Sequence, residues 1–256
     1  MTAVNKDKLK NMADNPMLIP GIYNYCDRWC ERCTFTSRCM SFAMEKEFSS
    51  NKDYLDLSNA SFWETMSSIL DSTLELLHEM ARERGVDFDL DLNEEDRVQL
   101  EETHRRSRRH ICSILAYKYA DTVDDWVSTS GRFSEVAFRL PGTASPGEIP
   151  DLQDAREVIL WYQHLIPVKI MRALQSKREA QESLPEHCIH EWEGSAKVAL
   201  LGIDHSMAAW GIIRAYMNDF QEDIEEKLFC LERLRRKIEA VFPGARSFIR
   251  PGFDEI

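Results

Sequence analysis

Across residues 152–177 apolar side chains occupy nearly every side of a 3.6-residue wheel. Val158, Ile159, Tyr162, Leu165 and Ile166 fall on one side, and Leu160, Trp161, Val168 and Met171 on another. A helix without a broad polar stripe belongs at the centre of a fold, with other helices around it. The rest of the chain supplies them. Ser61-x-x-Glu64 has the spelling of a capping box and opens a helix to about residue 84, with Gly85 as its stop. A second long helix is predicted over residues 93–119, extending toward 126. Ser183-x-x-Glu186, with Pro185 in the first turn, opens another that reaches about residue 217. The last covers 220–241 and carries Phe220, Ile224, Leu231, Leu234 and Ile238 on one stripe. No strand-like alternation interrupts this pattern.

The expected fold is therefore all-α: a helical bundle of about five long helices preceded by a short cysteine-rich metal-binding segment. Residues 1–20 read as a flexible tail, 21–48 as the four-cysteine segment with a short helix over 40–48, and 49–256 as the bundle packed with it in a single globular unit. Residues 128–150 hold the densest Gly, Pro and Ser content and read as a long excursion. The net charge of −12 opposes nonspecific attraction to nucleic acid and anionic membrane. No apolar run is long enough for a membrane span, and the first ten residues lack the apolar stretch of a signal peptide. These features point to the cytoplasm, where thiols stay reduced and clustered cysteines bind metal more often than they form disulfides.

Four of the seven cysteines lie in one run, Cys26, Cys30, Cys33 and Cys39, separated by three, two and five residues. Thiolates suit zinc or an iron–sulfur cluster. Zinc knuckles usually pair two Cys-x₂-Cys elements across a longer gap, whereas successive cysteines in one short run are closer to the style of a [4Fe–4S] cluster. The cofactor expected here is a [4Fe–4S] cluster or Zn²⁺. Cys26-x₃-Cys30-x₂-Cys33 resembles the cluster loop of radical S-adenosylmethionine enzymes over eight residues. That family implies a strand-rich barrel and an open fourth iron, while this chain is helical and offers Cys39 as a fourth thiolate. Tyr23, Tyr25, Trp29 and Phe35 are placed to shield a centre, and Arg28, Arg32 and Arg38 to offset its charge.

Histidine and carboxylate positions suggest a second centre. Wheel angles put Glu101-x-x-His104 on the inward side of the 93–119 helix, Glu157 and His164 on a shared face of the 152–177 helix, and His187, Glu191 and His205 on one stripe of the next, with His190 at its edge. His187 lies within one turn of both His190 and Glu191, so the three can converge on an ion. The ligand style resembles that of ferritin-like di-iron proteins, which draw Glu-x-x-His pairs from a bundle. Only Glu101-x-x-His104 keeps that spelling inward, and His-x-x-His-Glu replaces it on the later helix. Glu75-x-x-His78 has the spelling but falls on a surface face. The bland alternative is a set of histidines and glutamates in hydrogen bonds and interhelical ion pairs.

Two other segments are set aside. Asp87-Phe-Asp-Leu-Asp91 starts like a calcium loop but has Leu92 where glycine is needed and Val98 where glutamate is needed. The run Arg105, Arg106, Arg108, Arg109 is too narrow a basic footprint for nucleic-acid recognition in so acidic a chain. Two functional expectations remain. One is a redox metalloprotein, an oxidoreductase if it is an enzyme, whose cysteine centre relays electrons to a protein partner while Glu157, His164 and His205 act catalytically inside the bundle. The other is a non-enzymatic interaction protein with structural zinc. A homo-oligomer is compatible with either.

Overall fold

The computed structural model describes residues 6–48, 60–85, 93–128, 152–183 and 191–254. Eight α-helices and no strands occur among them: α1 Lys6–Ala13, α2 Met40–Phe48, α3 Ala60–Glu83, α4 Glu94–Arg109, α5 Ile111–Ser128, α6 Leu152–Ser183, α7 Glu191–Tyr216 and α8 Gln221–Val241. The chain divides into two compact units, one of residues 1–97 with 250–256 and one of residues 98–249. The boundary falls within α4.

In the unit of residues 98–249, α6 has the central role its wheel implies. Ile159, Ile166, Ile170 and Ala173 are fully buried, and α6 packs against both α5 and α7. Pro167 lies inside it without ending it, although proline removes one backbone donor. The direction of each helix follows from its cross-contacts. Ser113 and Asp124 of α5 meet Met171 and Gln163 of α6 at 3.4 and 3.2 Å, so these helices run antiparallel. Arg172 pairs with Glu191 and Tyr162 stacks with His205, which makes α6 and α7 antiparallel as well. Asp204 with Arg235 and Arg214 with Glu225 set the same relation for α7 and α8. Leu115 with Cys230 and Trp126 with Phe220 set it for α5 and the α8 region. The result is an up-down-up-down four-helix bundle.

At Gly202, α7 lies close against α6. A Cβ there would stand 2.8 Å from Tyr162 Cδ1 and 3.2 Å from Ile166 Cγ1, so only the missing side chain lets α6 and α7 come together. The expected stripe of α8 is confirmed, with Ile224, Leu231, Leu234 and Ile238 all fully buried.

The helix expected over 93–119 is two helices. Asn93 caps α4, its Oδ1 accepting from the Asp96 N–H at 2.8 Å. Glu94, Glu95 and Asp96 fill the first turn and Arg106, Arg108 and Arg109 the last, matching the helix dipole. A new start follows at His110. Its carbonyl accepts from the Ile114 N–H at 3.0 Å and its Nδ1 from the Cys112 N–H at 3.2 Å, as an N-cap residue does. That bond requires Nδ1 to be unprotonated, and burial together with Arg178 and Lys177 pushes the His110 pKa below its ordinary value. Helix α6 continues beyond residue 177 to Ser183, so Ser183, expected to open a new helix, belongs to α6; Pro185 and Glu186 of the expected capping box lie outside the described residues, as does the 128–150 excursion beyond Ser128.

In the unit of residues 1–97 and 250–256, α3 ends as expected, with Gly85 in the left-handed region at φ 65°, whereas Ser61, expected as its cap, lies inside the helix. Its apolar face is only partly covered, with Leu77 and Met80 each 39% exposed. Residues 6–20, within the expected tail, are packed and hydrogen-bonded. Helix α1 packs on α3, Lys6 Nζ meets Glu79 Oε1 at 3.1 Å, and Leu9 is buried. The Ile19 N–H then donates to the Arg38 carbonyl at 2.9 Å, tying the stretch before the cysteines to the last residue ahead of Cys39. No helix among the described residues is long and apolar enough to cross a membrane.

Candidate metal centre

The cysteine run folds as three single 3₁₀ turns, Ile22–Asn24, Cys30–Arg32 and Thr36–Arg38, followed by α2. Short turns of this kind reverse the chain repeatedly within a few residues, which brings cysteines spaced by three, two and five positions back to one place. Between the first two cysteines Arg28 adopts φ 60°, the left-handed region that non-glycine residues rarely enter. Asp27 Oδ1 accepts from the Trp29 N–H at 3.1 Å and Arg28 Nη1 donates to Ser41 Oγ at 2.9 Å, so this loop is held from both sides.

Cys26, Cys30, Cys33 and Cys39 line a single recess of about 20 Å³, walled by Ile22, Trp29, Phe35, Phe42 and Phe253. All four thiols are free and half-buried. The Cys33 sulfur accepts from the Phe35 N–H at 3.4 Å and the Cys26 thiol donates to the Tyr23 carbonyl at 3.5 Å. Burial first, then Glu45 and the other three cysteines, raise the Cys30 pKa above the ordinary thiol range. The sulfurs share the recess without closing into a ligand cage. Among the described residues no group of three or more His, Cys, Asp or Glu side chains is arranged to hold a metal ion.

Of the expected shielding residues, Tyr23, Trp29 and Phe35 line the recess. Of the arginines, Arg28 lines the recess and donates to Ser41, while Arg32 lies over the Trp29 ring at 3.9 Å and Arg38 Nε donates to the Met17 carbonyl at 3.4 Å. Phe253 is the wall that sequence reasoning did not anticipate. More than two hundred positions separate it from the cysteines, and nothing local to it signals the contact.

The expected second centre is not drawn together among the described residues. Glu101 and His104 lie on an exposed side of α4, correcting their inward assignment, because the break at His110 uncouples the wheel of α4 from that of α5. Glu157 accepts from Gln153 Nε2 at 2.9 Å. His164 is outward, 64% exposed, with Nε2 3.8 Å from Asp124 Oδ1. Glu191 pairs with Arg172, and exposed His205 stacks on Tyr162 with centroids 5.5 Å apart. His187 and His190 lie outside the described residues. Glu75 and His78 line a surface depression with Lys6 and Arg82, in keeping with their surface assignment. In the basic run, Arg105 and Arg106 both pair with Glu102, and Arg108 lies over the Tyr117 ring. The Asp87–Asp91 link lies outside the described residues.

Compared with protein-family models, curated proteins and solved structures, the chain matches none.

Proposed function

We propose that the chain is a redox metalloprotein in which Cys26, Cys30, Cys33 and Cys39 hold one [4Fe–4S] cluster that passes electrons to or from a protein partner. The observation that carries this reading is the gathering of four free thiols from a fourteen-residue run in one recess with apolar walls. Thiolates are the ligands such clusters use, and exclusion of water and N–H bonds to sulfur tune their potential. The Phe35 N–H at Cys33 is one such donor. Cluster binding removes protons from the thiols, since the metal-bound form is the thiolate. With a net charge of −12, a partner presenting a basic face associates faster at low ionic strength. As an enzyme the chain would be an oxidoreductase, with the four-helix bundle the place for its substrate chemistry.

A second reading, structural zinc in a non-enzymatic interaction protein, draws on a different observation. Among residues 21–46 only Ile22 is buried, so this stretch has little core of its own and gains folding energy directly from a metal staple.

Anaerobic purification with iron, sulfide and zinc analysis separates the two. A brown protein with broad absorption at roughly 400 nm, lost in Cys30→Ser and Cys33→Ser, is expected for the cluster. A colourless protein with about one zinc per chain overturns the cluster in favour of the staple, and the absence of either metal after reconstitution overturns both.

A further inference from the structure

The 250–254 turn is built onto the four-cysteine recess rather than trailing past it. Residues 250–256 belong to the same compact unit as residues 1–97. Two side chains from opposite ends of the sequence, Phe35 and Phe253, meet edge-to-face with centroids 5.1 Å apart. Phe253 thereby closes a side of the recess that the cysteine run itself leaves open.

Gly252 shows how closely the turn is seated. It has φ +77°, and a Cβ at this position would stand 2.8 Å from Ile19 Cδ1 and 3.0 Å from Ile22 Cδ1. Conformation and space both require glycine here. Ile19 and Ile22 are themselves buried and precede the first cysteine, so the turn rests on the stretch that positions the cysteine run.

The turn also holds its own shape. The Arg250 N–H and Nε donate to Asp254 Oδ2 at 2.9 and 3.0 Å, and Nη2 donates to Oδ1 at 3.0 Å. The Phe253 and Asp254 N–H groups donate back to the Arg250 carbonyl at 3.2 and 3.1 Å. The guanidinium lies 4.8 Å from the Phe253 ring centroid. This charge-assisted fork is mostly buried, at 16% and 22% side-chain exposure, and it fixes the ring independently of any ligand.

We propose that Phe253, seated by Gly252 and the Arg250–Asp254 fork, is the shield of the four-cysteine centre and sets how fast the bound metal exchanges with solvent. The proposal rests on the metal reading above. An aromatic wall contributes no ligand. It excludes water, chelator and oxygen from the sulfurs, and its removal acts on metal retention in the way that loss of outer-shell groups does.

The test uses the full chain, reconstituted anaerobically with iron and sulfide or with zinc, in wild type, Phe253→Ala, Phe253→Leu and Gly252→Val. Metal per chain is measured on loading, followed by loss to a fixed excess of EDTA well below the melting temperature. Release about tenfold or more faster is expected in Phe253→Ala and Gly252→Val, with Phe253→Leu intermediate and thermal melting of the helices unchanged in the two Phe253 variants. Gly252→Val keeps the ring but lifts its seat, so agreement between the two positions separates shielding from loss of one side chain. Variants that load fully and release metal at the wild-type rate overturn the shield while leaving the metal reading intact. A wild-type chain that takes up neither metal overturns the metal reading, and the shield with it. Faster release only in step with a lower melting temperature shows a general packing role and also overturns the shield.

Discussion

The indole N–H of Trp210 donates to the Tyr119 hydroxyl across 3.0 Å, with both side chains fully buried. Trp126 meets Trp210 edge-to-face at 5.1 Å, and the buried Lys227 ammonium lies 5.9 and 5.7 Å from the two indole centroids. One polar and aromatic cluster thus joins α5, α7 and α8. Tyr119→Phe removes the acceptor and leaves the Trp210 N–H buried and unpaired, which costs about 1–3 kcal/mol. Urea unfolding is expected to show that loss as a lower midpoint at unchanged slope. A change below about 0.5 kcal/mol would show that the bond contributes little beyond packing.

The same residue predicts the alkaline limit of the bundle. Burial holds the Tyr119 phenol up at about 12 against an ordinary 10.0, and holds the Cys112 thiol up at about 11 against 9.0. In each case the folded state keeps its proton more tightly than the unfolded chain. Stability from these groups is fully present below pH 9, falls as Cys112 titrates between about 9 and 11, and falls further as Tyr119 titrates between about 10 and 12. Each contributes a loss on the order of 2–3 kcal/mol at the top of its window. Denaturation measured from pH 8 to 12 is expected to show this decline, with a shallower slope above pH 10 in Tyr119→Phe. Equal slopes in the two proteins would remove Tyr119 as the cause.

Two glycines of α7 are expected to respond to alanine with opposite sign. At Gly202 the added methyl meets Tyr162 and Ile166, and overpacking of that kind costs about 1–3 kcal/mol despite the better helix propensity of alanine. At Gly211 nothing lies within 4 Å of the new Cβ and the site is exposed, so propensity alone acts and stabilises by up to about 1 kcal/mol. Thermal melting of the two single variants checks both signs. If Gly202→Ala melts at or above the wild-type temperature, close approach at this position does not limit the packing of α6 and α7.

That crossing also explains what was legible in the sequence. The Ile159, Tyr162, Ile166 side of α6 and the Ile224, Leu231, Leu234, Ile238 stripe of α8 carry large side chains and are buried as expected, whereas Val168 on the other apolar side of α6 is 60% exposed. On α7 the small residues Ser195, Ala199, Gly202, Ser206 and Ala209 are buried along with Val198, Leu200, Ile203, Trp210 and Ile213, so burial runs around most of the helix and no single stripe marks it. The stripe expected through His187, Glu191 and His205 is not the buried side, since His205 is exposed. On α5 the buried line is Cys112, Leu115, Tyr119, Val123 and Trp126, whereas Ile111 and Ile114, which an unbroken 93–119 helix puts on the side of His104, are exposed. One imidazole cap at His110 accounts for that rotation. The four cysteines announced themselves by local spacing. Their Phe253 wall depends on a contact across nearly the whole chain, which no local pattern encodes.

The pairing of Glu191 with Arg172 decides what the remaining His/Glu set does. Both side chains are more than 40% exposed, at 42% and 43%, and a pair at that exposure contributes only about 0–1 kcal/mol. Glu191→Gln is therefore expected to lower stability by no more than that and to leave metal content unchanged. His205→Ala removes a stack on Tyr162 and is expected to cost about 0.5–1.5 kcal/mol, again without loss of metal. The informative comparison is metal per chain in Glu191→Gln against Cys30→Ser after identical reconstitution. Loss in the cysteine variant alone assigns all bound metal to the four thiolates. A stoichiometric loss in Glu191→Gln would instead mean that Glu191 leaves Arg172 to ligate an ion, restoring the second centre on α7.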